Sequence, residues 1–354
     1  MGASGLGETR AAAARASNYY GADASGLICG YLFDDQGGSP AHALDADEAA
    51  SWLAIDAESP SESGGTFLWL HFNLSHAPAE RWIREHARLP DSFFEALKDG
   101  SHSTRIERDD DTLIAIVNDV HFEFGFEPSD IATLWISVDS RLVVTGRTQP
   151  LRSVDALRVA VRDGQSLRSS VALLEQLLRK QADGLVSIVR DVTSRIDDIE
   201  DNLLAGRLDH KRARLGTLRR LLVRLQRLLA PEPAALFRLL QHPPMWMAHD
   251  DVEELRASTE EFSAVLRDML VLQERIKLLQ EEIAASVDEG NSRSLFVLTV
   301  VTVLALPINI LAGLFGMNVG GVPLAESRNG FWIVVSIVLA FTAVACWVAF
   351  RKKD

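Results

Sequence analysis

The chain has 354 residues, of which 24% are charged and 47% hydrophobic, with a formal net charge of −13. That acidic balance excludes a nucleic-acid binder built on basic patches and fits the handling of cations. Cys29 and Cys346 are the only cysteines, which excludes a disulfide framework or a CxxC zinc site, and the length allows one soluble domain of roughly 250 residues plus a membrane region.

Residues 1–24 are rich in Ala, Gly and Ser and hold no apolar stretch, so they read as a disordered tail and not as a signal peptide. Residues 25–150 read as an α/β domain, expected on the cytoplasmic side. Leu27 to Phe33, Phe67 to Leu74, Leu113 to Phe122, Ala132 to Val138 and Leu142 to Gly146 have β-branched and aromatic composition bounded by turn residues, which predicts strands. Helical patterns fall at Ala46 to Ala54 and Ala79 to Ala87. The domain contains no P-loop, GxSxG, HExxH or GxGxxG after a strand, so it is not read as an enzyme. His71 and His76 are the nearest approach to a metal pair, with His102 and His121 as further candidates for a regulatory zinc; scattered surface histidines are the competing reading.

Residues 151–247 carry no strand signal. Val154 to Val161, Leu167 to Leu204 and Leu208 to Leu240 are rich in Leu, Arg, Glu and Ala, with Gly206 as a break and Pro231, Pro233, Pro243 and Pro244 closing the series. An antiparallel helical region follows from this pattern. Trp246 reads as an apolar anchor in the loop that ends it.

Residues 248–294 predict a stalk helix. Leu255, Phe262, Met269, Ile276 and Ile283 repeat every seven residues, with Val265, Leu272 and Leu279 three residues after members of that series, an a/d seam for helix packing. Two residues out of phase runs a second heptad series, Glu260, Arg267, Glu274, Glu281 and Asp288, and it continues into Leu295, Thr302 and Asn309. Glu274, Glu281 and Asp288 therefore read as a cation-concentrating cytoplasmic vestibule. A solvated helix face is the bland alternative.

Residues 295–318 predict a first transmembrane helix, because Leu295 to Phe315 contains no Asp, Glu, Lys, Arg or His over a length that spans a hydrocarbon core. Within it Thr299, Thr302 and Asn309 are the strongly polar side chains, and Ser292, Leu306 and Gly313 fall on the same side at heptad spacing. Polar groups at membrane depth face a partner or water. Ser292, Leu295, Thr299, Thr302, Leu306, Asn309 and Gly313 are thus either the lining of a wet pore or an interhelical seam in a static bundle. Residues 319–330 read as a short periplasmic loop and 331–350 as a second span. The basic end, residues 351–354, places both termini in the cytoplasm. Since two spans cannot enclose a path, a pore needs a homo-oligomer with the first span innermost.

Gly316-Met317-Asn318 closing the first of two C-terminal spans resembles the CorA superfamily of divalent-cation transporters. The run GMNVGGVPLAESRNGFW, with TVVTVLALPINILAGLFGMN before it, looks most like the ZntB branch of zinc transporters. The resemblance implies an α+β membrane protein of the bacterial inner membrane: a cytoplasmic α/β domain, a long stalk and two C-terminal spans, assembled as a funnel-shaped homopentamer. It implies no cofactor, zinc as the transported ion, and uptake coupled to protons. Its motif places Gly316, Met317 and Asn318 at the pore mouth.

The residues themselves leave alternatives open. Zinc favours His and Cys ligands, and the path from Leu295 to Asn318 has neither, so zinc would pass hydrated. A magnesium or broad divalent channel fits the same side chains, and a non-conducting membrane-anchored coiled-coil scaffold or sensor is the rival from another class.

Overall fold

The computed structural model describes residues 21–34, 40–58, 65–100, 103–125, 130–205, 211–316 and 329–351. Of the sequence expectations, the tail over 1–20, His102, Gly206, Met317, Asn318, most of the loop between the spans and the terminal Lys352-Lys353-Asp354 lie outside the described residues. The chain divides into two compact units, Met1–Leu278 and Leu279–Asp354.

The first unit is built on a seven-stranded sheet in the order β2-β1-β3-β7-β6-β5-β4. The strands are β1 (Leu27–Phe33), β2 (His42–Leu44), β3 (Phe67–Asn73), β4 (Arg105–Asp109), β5 (Thr112–Val120), β6 (Ile131–Val138) and β7 (Leu142–Arg147). Among the described strands only β3 and β7 pair in parallel, with Leu70 opposite Val144 and His71 opposite Thr145. Strand β3, FLWLHFN, is buried along both faces, which is why it reads as a continuous apolar run and not as an alternation. On one face Leu68, Leu70, Phe72, Ile114, Ile116, Trp135 and Val144 pack under α1 (Ala46–Glu58), α2 (Ala77–His86) and α3 (Asp91–Lys98). Each such large side chain taken out of water contributes roughly 1.5–3 kcal/mol before ordering costs.

Against the other face lie α4 (Arg152–Arg162), α5 (Ser170–Leu204), α6 (Lys211–Leu229) and α7 (Pro231–Gln241). Sequence reasoning expected one helix from Leu208 to Leu240; the structure holds two, broken at Ala230, because Pro231 starts α7 in the first-turn position where its missing N–H costs nothing. Helix α5 begins with a side-chain cap, Ser169 accepting from the Ala172 N–H. Strands β2 and β4 and helix α3 were not expected. The first is three residues long, and β4, RIERD, is a charged edge strand whose exposed positions hide any apolar alternation.

Helix α8 (His249–Phe315) is one α-helix of 67 residues, about 100 Å long at 1.5 Å per residue. In the first unit it runs parallel to α5: Arg168 pairs with Asp251 at 2.9 Å, Ser258 Oγ donates to Glu175 at 2.6 Å, and Arg275 reaches both Asp197 and Glu200. Leu255, Phe262, Val265, Met269, Leu272 and Ile276 of the expected seam are all buried.

In the second unit the seam ends with Leu279 and Ile283, also buried, and α8 then continues to Phe315. It is the one described helix long and apolar enough to cross a membrane; α9 (Gly330–Arg351) adds a shorter apolar stretch, Gly330–Val344. Gly290 and Pro307, residue types that can bend a helix, both lie inside unbroken helix. Pro307 has no N–H, so it leaves the carbonyl of Val303 without its usual helical partner.

Candidate ion pathway

The polar stripe is set by a rule that local sequence fixes: on one continuous helix, residues seven apart return to nearly the same side, with a drift of about 20° per heptad. Because α8 stays helical from His249 to Phe315, the acidic series and the Thr/Asn series belong to one rod. Glu260, Arg267, Glu274, Glu281, Asp288, Leu295, Thr302 and Asn309 are all exposed, as are Ser292, Thr299, Leu306 and Gly313. Within the first unit, Glu260, Arg267 and Glu274 lie off the buried seam of Leu255, Phe262, Met269 and Ile276.

The two threonines have a definite hydrogen-bonding state. Thr299 Oγ1 donates to the Leu295 carbonyl and Thr302 Oγ1 to that of Leu298, each at 2.8 Å. Their hydroxyl protons are thus spent on the helix itself, and what each oxygen offers outward is lone pairs. Water held by a dication points its hydrogens outward, so a ring of acceptors is the chemistry that suits a hydrated ion. The side-chain oxygen of Asn309 adds another acceptor.

At the C-terminal end of α8, Gly316 lies in a turn and its N–H donates to the Ala312 carbonyl at 2.9 Å. A tight turn of the kind that often closes a helix would use a left-handed glycine. Gly316 is not in that conformation; the described glycines with positive φ are Gly26, Gly100 and Gly164. A Cβ at Gly316 would sit 3.1 Å from the Ala312 oxygen, a tight approach.

Of the histidine pair, His71 is committed to other partners in this fold. His71 is fully buried, its Nδ1 lies 2.8 Å from Thr145 Oγ1, and its Nε2 accepts from Arg147 Nε at 3.1 Å. Trp69 Nε1 donates to the same threonine at 2.9 Å. Burial first, then the Arg147 and Arg158 guanidiniums, hold His71 well below the usual imidazole range, so it stays neutral. Both ring nitrogens are occupied, leaving no lone pair for zinc. Among the described residues no group of three or more His, Cys, Asp and Glu is placed to hold a metal ion. Beside this network, burial pushes the Cys29 thiol up to about 12, opposed by Arg158, which keeps it protonated and inert.

Sequence reasoning missed two buried carboxyls. Glu232 has its pKa pushed up to about 8 by burial, against a hydrogen bond from Gln181. Asp119 is pushed to about 6 by burial, while Ser153 donates to it from both Oγ and N–H at the start of α4. Glu232 follows Pro231, and an acid just inside a proline-started helix is a common first-turn residue; only the fold reveals that it is enclosed. Trp246, expected as an apolar anchor, is half-buried and donates from Nε1 to the Asp111 carbonyl at 2.6 Å, fastening its loop to the β4–β5 turn.

Known proteins resemble this chain over nearly its whole length. A protein of Pseudomonas aeruginosa named Divalent cation transporter CmaX is 26% identical over 336 residues, covering 94% of this chain and 98% of that protein. Zinc transport protein ZntB of Pectobacterium carotovorum subsp. carotovorum is 24% identical over 330 residues, covering 93% and 96%. Among solved structures, the full-length CmaX protein superposes with a TM-score of 0.76 at 25% identity, covering 93% of this chain and 98% of that one. The CorA magnesium transporter from Methanocaldococcus jannaschii gives 0.72 at 18% identity, covering 92% and 98%, a likeness of fold. The family model described as CorA-like Mg2+ transporter protein matches residues 64–352. With four-fifths of its length accounted for by that match, the chain belongs to the CorA-like Mg2+ transporter protein family, a family of divalent-cation transporters and not of enzymes.

Proposed function

We propose that the protein is a zinc transporter of the bacterial inner membrane, a homo-oligomer whose first span from each copy surrounds one water-filled path. The observation that supports this reading is that α8 is one helix, along whose sequence the carboxylates of Glu274, Glu281 and Asp288 are followed at multiples of seven residues by Thr302 and Asn309. Around an axis, each of these becomes a ring. The acidic rings concentrate cations over roughly 10 Å at ordinary salt, and the acceptor rings receive the ion with its water. Leu295, Leu298 and Leu306 are constrictions that gate by excluding water. Gly316, Met317 and Asn318 form the outer mouth, and the closed ring is a pentamer with both termini cytoplasmic.

Zinc is supported by the zinc-transport relatives. Uptake coupled to protons belongs to the same reading, and here the chain imposes a route. No Asp, Glu or His lies between Arg293 and Glu326, so protons would travel by water and by acids such as Glu281 and Asp288, with no side-chain relay inside the bilayer.

A second reading, a magnesium or broad divalent pathway, is favoured by one observation: the absence of His and Cys from Leu295 to Asn318, which suits an ion that keeps its water. Zinc and magnesium flux into liposomes holding the purified protein, with and without a pH gradient, tests both. Zinc entry that rises with the gradient supports the first reading, magnesium entry without zinc supports the second, and entry of neither ion overturns both.

A further inference from the structure

Helix α6 is unlike the rest of this acidic chain. Its 19 residues, KRARLGTLRRLLVRLQRLL, hold seven basic side chains and no acidic one. Leu215, Leu218, Leu221, Leu222, Leu225 and Leu229 form its buried face. Arg219, Arg220, Arg224 and Arg227 stand exposed on the other, together with Val223, which is 45% exposed. Arg220 donates to Thr217 of its own helix. Among the described residues none of these four arginines pairs with a carboxylate, whereas arginines elsewhere in the unit, such as Arg168, Arg179 and Arg275, do.

The same unit exposes the opposite charge on α8. Glu260, Glu261 and Asp268 are exposed and make no ion pair among the described residues, with Arg267 as the one basic side chain between them. Glu261 and Asp268 lie one heptad apart, as do Arg220 and Arg227, so each pair spans about 10 Å along its helix. One chain thus carries two unlike charged faces and does not close them on each other. In a two-fold dimer the two patches would have to meet reciprocally across a single interface. In a cyclic ring each subunit presents one patch to its neighbour's different patch.

We propose that the arginine face of α6 in one copy docks on the Glu261–Asp268 edge of α8 in the next, so that the occupant of each face is a second copy of this chain. The inference rests on the homo-oligomer of the proposed function and adds which surfaces meet. Exposed pairs of this kind set register and partner choice more than raw affinity, and they weaken with salt.

The test uses the full-length protein purified in detergent. Its subunit number is measured by native mass spectrometry across a salt series, for wild type, Arg220→Glu with Arg227→Glu, Glu261→Arg with Asp268→Arg, and all four changes together. Binding to vesicles of zwitterionic lipid with and without an anionic lipid is measured alongside. The expected result is that each reversed pair raises the concentration of half-dissociation by roughly tenfold or more, and that the four-fold swap restores it. The restored swap also shows that the reversed chains fold. A wild-type oligomer left intact by both reversals, or a swap that restores nothing, overturns the contact while leaving the oligomer standing. A wild-type monomer overturns the oligomeric reading beneath it. Binding to anionic vesicles that the arginine reversal abolishes, with subunit number unchanged, assigns the face to a lipid surface and overturns the proposal.

Discussion

Gln181 Nε2 donates to Glu232 Oε2 at 3.2 Å inside the first unit, and both side chains are buried. The same amide donates to the Asn118 carbonyl at 2.6 Å, so one glutamine ties α7 to the sheet. Burial pushes the Glu232 carboxyl up to about 8; the Gln181 bond opposes the shift and Asp119 adds to it. The native chain therefore keeps this proton at neutral pH while an unfolded chain releases it near the ordinary carboxylate range. Stability from this group is full at acid pH and is lost as pH rises toward and through about 8. Glu232→Gln keeps the shape without the ionisation, so its melting temperature should exceed that of wild type at pH 9 and match it near pH 5, read by thermal unfolding of the purified protein. Equal curves at both pH values would contradict the buried-acid account.

His71→Ala removes the acceptor that Arg147 Nε uses. Breaking a buried bond to a charged group costs about 2–4 kcal/mol, so the variant should melt well below wild type. Zinc titration of the two proteins by calorimetry should show no heat assignable to His71. A zinc site lost in the variant would contradict the structural role given to this imidazole.

Arg275 pairs with Asp197 and Glu200 on a partly exposed surface. Solvent screening reduces what such pairs contribute, and Arg275→Ala should cost only about 0.5–1 kcal/mol of unfolding stability, with a smaller difference from wild type in high salt. A loss several times larger would mean that the pair is shielded from water.

How far the sequence reached depended on where each residue's partner lies. Strand β1 was legible to the residue, and β3 nearly so, because apolar content and the turn residues beside them are local signals. The break between α6 and α7 was not, since leucines keep a helical period across Ala230 and only Pro231 marks the restart. His71 looked available for metal because its strand reads FLWLHFN, while the residue that occupies it, Arg147, is 76 positions away and arrives through the parallel β3–β7 pairing. The spacing of the proposed ion-path stripe keeps its meaning because α8 remains a helix from His249 to Phe315. Its neighbours Val301 and Val303 are exposed too, at 57% and 56%; chemistry, not exposure, distinguishes Thr302 and Asn309.

Thr302→Val removes the hydroxyl whose proton is held by the Leu298 carbonyl and keeps the volume. Losing one acceptor ring worth about 1–1.5 kcal/mol should lower cation flux roughly tenfold without changing the melting temperature by more than a few degrees. Flux equal to wild type would remove Thr302 from the path.

The most direct test is metal-ion entry into liposomes carrying wild type or Asn309→Leu, with the amount of inserted protein matched. The account predicts divalent-cation entry through wild type and its loss when the amide ring becomes a ring of leucines. Entry through the leucine variant at the wild-type rate, or none through either, would contradict it.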